Sequence, residues 1–479
     1  MLGACVALLA ACALVGAALR ILLKPAVPHS LGVTAGLGAA TAAVTVALSY
    51  RFFSITTAAV AALLVAAALV CLAAALIRIR RSGPRVLMRS AAAALGGRTE
   101  LVAAGLVLLV LAPVIAVGPT WWSLGSNDIH RYVGSVQLWT SGEDGARDLT
   151  SVLTGPTLDG HVQRATSEKP MATALLATAS ITGGLPAYRA VTPLMATLLL
   201  VSVSSSLALL VRRWRLPLLA SACAAAATTL SVVPMVRLLE AQPGQVAAVA
   251  LLALGLVVAA RPSPQAWRTA LVLGVVLAAA TGANPSLVAG VAPLWLAAAV
   301  WAASRSGTAV RAAARPLAVA AMVAAVLVAA FVPWFVRSWR LQGGGSEGHD
   351  VPFVSPLALV GLQPGTDPRL PSWTAWVLWL VVLAVGAVVV ARRRPALRGH
   401  GPAVAVAAVA AASLLGLVGV YGPDNYVVHK WIAVLIALVM PLALAVGFQR
   451  LAASDVATPT RSSSLPASIR RCSSASDMN

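Results

Sequence analysis

The sequence predicts an all-α polytopic membrane protein of about thirteen transmembrane helices, with amphipathic interfacial helices in its first large outer loop. Three observations lead there. Hydrophobic residues make up 59% of the chain and charged residues only 10%, far from a soluble domain. Ala, Val and Leu gather in runs of roughly 18–22 residues, enough for a helix to cross about 30 Å of hydrocarbon. These runs are apolar all round rather than alternating, which excludes a transmembrane barrel.

The runs fall near 1–23, 31–50, 55–77, 101–118, 187–211, 216–236, 244–260, 268–282, 284–303, 316–336, 373–391, 402–420 and 431–449. The pair around "TGANPS" (Thr281 to Ser286) reads either as two spans or as one broken helix. Between the runs, "RIRRSGPRVLMR" (Arg78 to Arg89), "RRWR" (Arg212 to Arg215), "RPSPQAWR" (Arg261 to Arg268), "SRSGTAVRAAAR" (Ser304 to Arg315) and "RRRPALR" (Arg392 to Arg398) hold cations and no acid. The positive-inside rule places these loops in the cytoplasm. The alternating loops at 119–186, 237–243, 337–372 and 421–430 then face outward and carry nearly all the acids.

A formal charge of +21 is explained by these arginine clusters, so nucleic-acid binding is not indicated. Cys5, Cys12, Cys71 and Cys223 lie in apolar runs and Cys472 in the tail, with no metal-ligand spacing. Three units follow: N-terminal helices and a basic cytoplasmic loop over 1–99, a transmembrane domain over 100–449, and a Ser-, Ala- and Arg-rich tail over 450–479 that reads as disordered.

Function is sought on the outer face. The loop 119–186 is the longest, and long loops are usually functional. Trp121 and Trp122 have the signature of an aromatic belt. Asn127 or Asp128 can cap a following helix. Along that helix Ile129, Tyr132, Val133, Val136 and Trp139 form an apolar face, Asp128, Arg131 and Ser135 are read as a polar one, and Gly142 ends the pattern. The segment "EKPMATALLATASITGG" (Glu168 to Gly184) reads as a second interfacial or re-entrant helix, with Pro170 in its first turn and Gly183-Gly184 at its end. Tyr188 and Arg189 mark the mouth of the next span, and "QGGGSEGHD" (Gln342 to Asp350) is a flexible lid or linker.

This order of a helix, an outer loop opening with an acid, an amphipathic helix, a Lys-Pro segment, a short helix and "AYR" before the next span resembles the GT-C glycosyltransferases. It is most similar to actinobacterial cell-wall arabinofuranosyl- and mannosyltransferases, over residues 100 to 450. The resemblance implies transfer of a hexosyl or pentosyl group from a polyprenyl-phosphate donor to a cell-envelope glycan or lipid acceptor, at the outer face of the plasma membrane. It implies that Asp128 is the catalytic carboxylate, assisting the acceptor hydroxyl as a positioned base. Where many family members pair two acids, this chain has Asn127-Asp128. A helix cap is the alternative role for Asp128.

Lys169, Arg189 and Lys430 are the cations expected at the donor phosphate, with snorkelling as their ordinary alternative. His130 and Arg131 in the first loop, and Tyr426 and His429 in "YGPDNYVVHKW" (Tyr421 to Trp431), are expected to contact substrate. No carboxylate cluster requires a metal, and the resemblance leaves a divalent cation open. The alternatives are a lipid-linked sugar flippase or transporter, or a surface polysaccharide polymerase. Against an ion-coupled carrier, no predicted span holds an acid at its middle, and Glu100 sits at an end.

Overall fold

The computed structural model describes residues 2–25, 27–82, 97–117, 127–141, 169–213, 216–229, 243–260, 266–285, 294–299 and 310–341, with scattered positions between 377 and 444. Among the described residues the regular structure is helical and no strand occurs. Its elements are α1 (Leu2–Leu23), α2 (Leu31–Phe53), α3 (Thr56–Ser82), α4 (Arg98–Val117), α5 (Asn127–Ser141), α6 (Pro170–Gly183) and α7 (Ala187–Leu207). A π-helical turn at Ala208–Arg213 ends α7 and is followed by α8 (Leu218–Thr229), α9 (Pro243–Ala259), α10 (Ala266–Ala283), α11 (Val310–Ala329) and α12 (Val332–Leu341). Among the described residues, four helical stretches are long and apolar enough to cross a membrane: Leu2–Leu23, Leu31–Phe53, Thr56–Arg81 and Ala187–Arg212.

The helix ends follow local chemistry. Ser30, in extended backbone, accepts a hydrogen bond from the Val33 N–H at 3.3 Å and starts α2. Ser54 stops α2 in the left-handed region at φ 53°. The apolar run at 55–77 becomes a longer helix, because the arginines beyond it are good helix formers and carry α3 on to Ser82. The run at 316–336 behaves differently. Turns at Ala330 and Phe331 divide it into α11 and α12. Pro333, which has no N–H and restricts Val332 before it, suits the opening of a new helix rather than the middle of an old one.

Helices α1 and α2 form a hairpin whose backbones nearly touch. A Cβ at Gly16 would overlap the Thr34 carbonyl, and one at Gly38 the Cys12 carbonyl. Helix α2 is central, with Val33, Ala35, Leu37, Ala40, Ala43 and Val46 buried. It packs on α1, α3, α6, α7, α9 and α10. Helix α3 lies outside it and leaves Val65, Leu69, Leu72 and Leu76 exposed, a surface suited to lipid.

The bundle has two unlike ends. At the arginine end, Arg20 donates to the carbonyls of Val27 (3.2 Å) and Pro28 (2.9 Å) and to Thr34 Oγ1 (2.9 Å). Arg212 of the π-turn donates to the His29 carbonyl and to Thr99 Oγ1. The buried Glu100 carboxylate accepts from the Gly32 N–H at 3.5 Å, at the positive end of α2. The opposite, far end joins the last turn of α2 to α5 and α12. There Tyr50 stacks on Trp139 with ring centroids 4.1 Å apart, and Arg51 donates to the Ala330 carbonyl and lies over Trp334.

Helix α6 lies across this far end. Its fourteen residues span about 21 Å at 1.5 Å per residue, short of a bilayer. Gly183 at its end meets Ala4 near the start of α1, and Met171 at its start meets Gly282 near the end of α10. Pro170 to Ala179 are buried by α1, α2, α5, α7, α9 and α10. Gly184, at φ 58°, closes the helix with its N–H on the Ile181 carbonyl, while the Leu185 N–H reaches Ser180.

Candidate functional site

The far end gathers polar groups where α5, α6, α9 and α10 meet. Lys169 stands at the N-terminus of α6, half-buried, with Nζ 5.7 Å from the ring centroid of the buried Tyr132 on α5. A cation over a partly desolvated aromatic face is attracted by the ring quadrupole. Gly244, in the first turn of α9, closes the other side. A Cβ there would lie 2.5 Å from Tyr132 Oη, 2.8 Å from the Ala283 carbonyl and 3.0 Å from Lys169 Cδ. Only a residue without a side chain lets the tyrosine and the lysine stem cross that helix end.

Two buried carboxamides flank this contact in sequence. Gln245 follows Gly244 on α9, and Asn284 follows Ala283 at the end of α10. Helix ends of both signs meet here, since α10 ends at Ala283 with its carbonyl against Gly244. The first turns of α6 and α9 both open at Lys169, so two positive dipole ends reinforce one ammonium group. A phosphate-sized anion is the ligand that such helix ends suit.

Of the residues expected from sequence, Lys169 belongs to this cluster. Arg189 does not. It is exposed, its guanidinium lies over the Tyr188 ring at 5.6 Å, and it follows the far terminus of α6. Lys169 and Arg189 stand at opposite ends of α6, with about 21 Å of helix between them. Asp128, His130 and Arg131 lie on α5, whose backbone is described, but their side chains lie outside the described residues. By register Asp128 is one helical turn before Tyr132. Tyr426, His429 and Lys430 lie outside the described residues altogether.

The face assignment of α5 is corrected at Ser135. Expected among the polar positions, it is buried with Tyr132, Val136 and Trp139. Its spacing from Tyr132 and Trp139, three and four residues, places all three on one side of a helix. That apolar face packs against α2 and α6 instead of forming a purely lipid-facing surface. Gly244, Gln245 and Asn284 were not anticipated as site residues. Their signals were the "PGQ" that opens one apolar run and the "GAN" that closes another, small and amide residues at two helix ends on one side of the bundle. Among the described residues, no group of three His, Cys, Asp or Glu side chains is placed to hold a metal ion.

No protein-family model, curated protein or solved structure matches the chain.

Proposed function

We propose that the chain is a membrane glycosyltransferase that moves a sugar from a polyprenyl-phosphate donor to a cell-envelope glycan or lipid acceptor at the outer face of the plasma membrane. The observation that carries this reading is Lys169, set between the N-termini of α6 and α9 and against Tyr132. In the proposed reaction the acceptor hydroxyl attacks the anomeric carbon, and Asp128 takes its proton. The bond from that carbon to the donor phosphate oxygen breaks, and polyprenyl phosphate leaves with the electron pair. Lys169 and the two helix ends stabilise the leaving anion. Lys430, Tyr426 and His429 of the late loop complete the donor site in this reading, and His130 and Arg131 contact the acceptor side.

The test uses purified full-length protein in vesicles, supplied with polyprenyl-phosphate sugars and an envelope acceptor fraction. Asp128→Asn should lower the transfer rate by roughly 10²–10⁴-fold, the usual worth of a positioned general base. Lys169→Met should chiefly raise the KM for the donor. Unchanged rates in both variants would overturn the assignment. Movement of lipid-linked sugar across sealed vesicles with no new glycosidic bond would favour the flippase instead.

A further inference from the structure

We propose that the first turn of α2 holds an internal water molecule, bridging the Glu100 carboxylate of α4 to the Ser204 hydroxyl of α7. The hydroxyl is the group that calls for a ligand. Ser204 is 3% exposed, and its Oγ makes no hydrogen bond among the described residues. Helical hydroxyls elsewhere in the bundle are satisfied by their own backbone. Those of Thr41, Thr178, Thr182 and Thr281 each donate to the carbonyl four residues earlier. Ser204 does not donate to Leu200 in this way. Its Oγ lies against α2 instead, where a Cβ on Gly32 would be 2.2 Å from it.

Gly32 joins this hydroxyl to a second group that is short of partners. Its N–H donates to Glu100 Oε2 at 3.5 Å, long for a carboxylate, which ordinarily accepts at about 2.7–2.9 Å. Glu100 is buried, at 8% exposure, and forms no ion pair among the described residues. A carboxylate offers about four acceptor positions, and leaving them unfilled away from bulk water is costly. One glycine therefore touches a donor that lacks an acceptor and an acceptor that lacks donors.

The surroundings select the ligand. A metal cation or ammonium ion is disfavoured, because Arg20 donates to Thr34 in this same turn of α2 and Arg212 donates to Thr99, the neighbour of Glu100. An anion would meet the carboxylate. A small neutral molecule that accepts from one group while donating to another fits both, and that molecule is water. It accepts from the Ser204 O–H and donates to Glu100, tying the starts of α2 and α4 to the end of α7.

The experiment is a double-mutant cycle on the full-length protein in mild detergent, read as the midpoint of thermal unfolding at one scan rate. Ser204→Ala should lower the midpoint by about 1–3 °C, because the water loses the hydroxyl that it accepts from. Ser205→Ala is the control. Ser205 is buried on the same turn of α7 with its Oγ also unbonded among the described residues, but it is not among the groups nearest Gly32. Removing a hydroxyl that has no partner should leave the midpoint unchanged or raise it. In a Glu100→Ala background the loss at Ser204 should fall by roughly half or more, since the two side chains share one ligand. If Glu100→Ala does not fold, Glu100→Gln supplies the background. An unchanged or raised midpoint in Ser204→Ala, or an equal loss in both backgrounds, would overturn the proposal. A like loss in Ser205→Ala would assign the effect to α7 in general and overturn it too.

Discussion

Replacing Gly244 with alanine sets two effects of opposite sign against each other. Alanine is the better helix former by about 1 kcal/mol in a helix interior, and by less in a first turn. The added methyl, however, meets Tyr132 Oη, the Ala283 carbonyl and Lys169 Cδ at 2.5–3.0 Å, two of them on other helices. Overpacking of this kind costs about 1–3 kcal/mol, so Gly244→Ala should lower the melting temperature in detergent and weaken donor binding together. A rise in stability would mean that α5 and α6 do not close on α9. His29 is the residue-scale contrast, because its perturbation is electrostatic. Arg20 foremost, then partial burial, then Arg212 and Arg78 hold its pKa below the usual histidine value. In the neutral form Nδ1 can accept from the Arg20 guanidinium at 3.1 Å. The unfolded chain takes up the proton near pH 6.5, before the folded one does. The contribution of His29 to stability is therefore complete above about pH 6.5 and is lost as pH falls toward the lower folded value. The ring is largely exposed, so the effect is small. Thermal unfolding at pH 7.5 and 5.5 should show a smaller acid loss in His29→Gln than in wild type.

The α1–α2 hairpin is the element on which the described bundle depends most. Its backbones approach through Gly16 and Gly38, where any Cβ would meet a carbonyl of the facing helix. Backbone cannot swing aside as a side chain does, so Gly16→Leu should separate the helices rather than merely crowd them. The predicted result is loss of the monodisperse protein on gel filtration after extraction, whereas Gly3→Ala, where a Cβ meets open space, should leave the profile intact. Helix α6 shows a different relation of sequence to place. Its bounds were legible, since Pro170 opens it and the Gly183-Gly184 pair ends it. Its surroundings were not. A helix apolar on every side carries no marker of what covers it, and lipid and protein interior are alike to that pattern. The same limit governs α5, whose apolar face is matched by α2 and α6 as readily as it would be by a membrane.

At the scale of the whole molecule, the helical class and the segregation of arginines to helix ends followed from composition and periodicity alone. What stayed hidden was pairing across long stretches of chain. Lys169 could be picked out as a cation beside a membrane mouth, but nothing local joins it to Gly244 or Asn284. Arg189 looked equivalent to it until the length of α6 separated them. Such distances belong to packing, and a single chain encodes them only through the shapes of many residues at once. The transverse position of α6 also sets an order on how the protein is made. It is enclosed by α1 and α2, which precede it, and by α9 and α10, which follow it by more than a hundred residues in the case of its contact at Gly282. Domains form as synthesis proceeds from the N-terminus, so α6 must wait in an incomplete enclosure until α10 has emerged. Chains released before residue 284 therefore lack the final wall around Lys169, and a truncation series scored for protease resistance at α6 should show protection arriving in one step with α10.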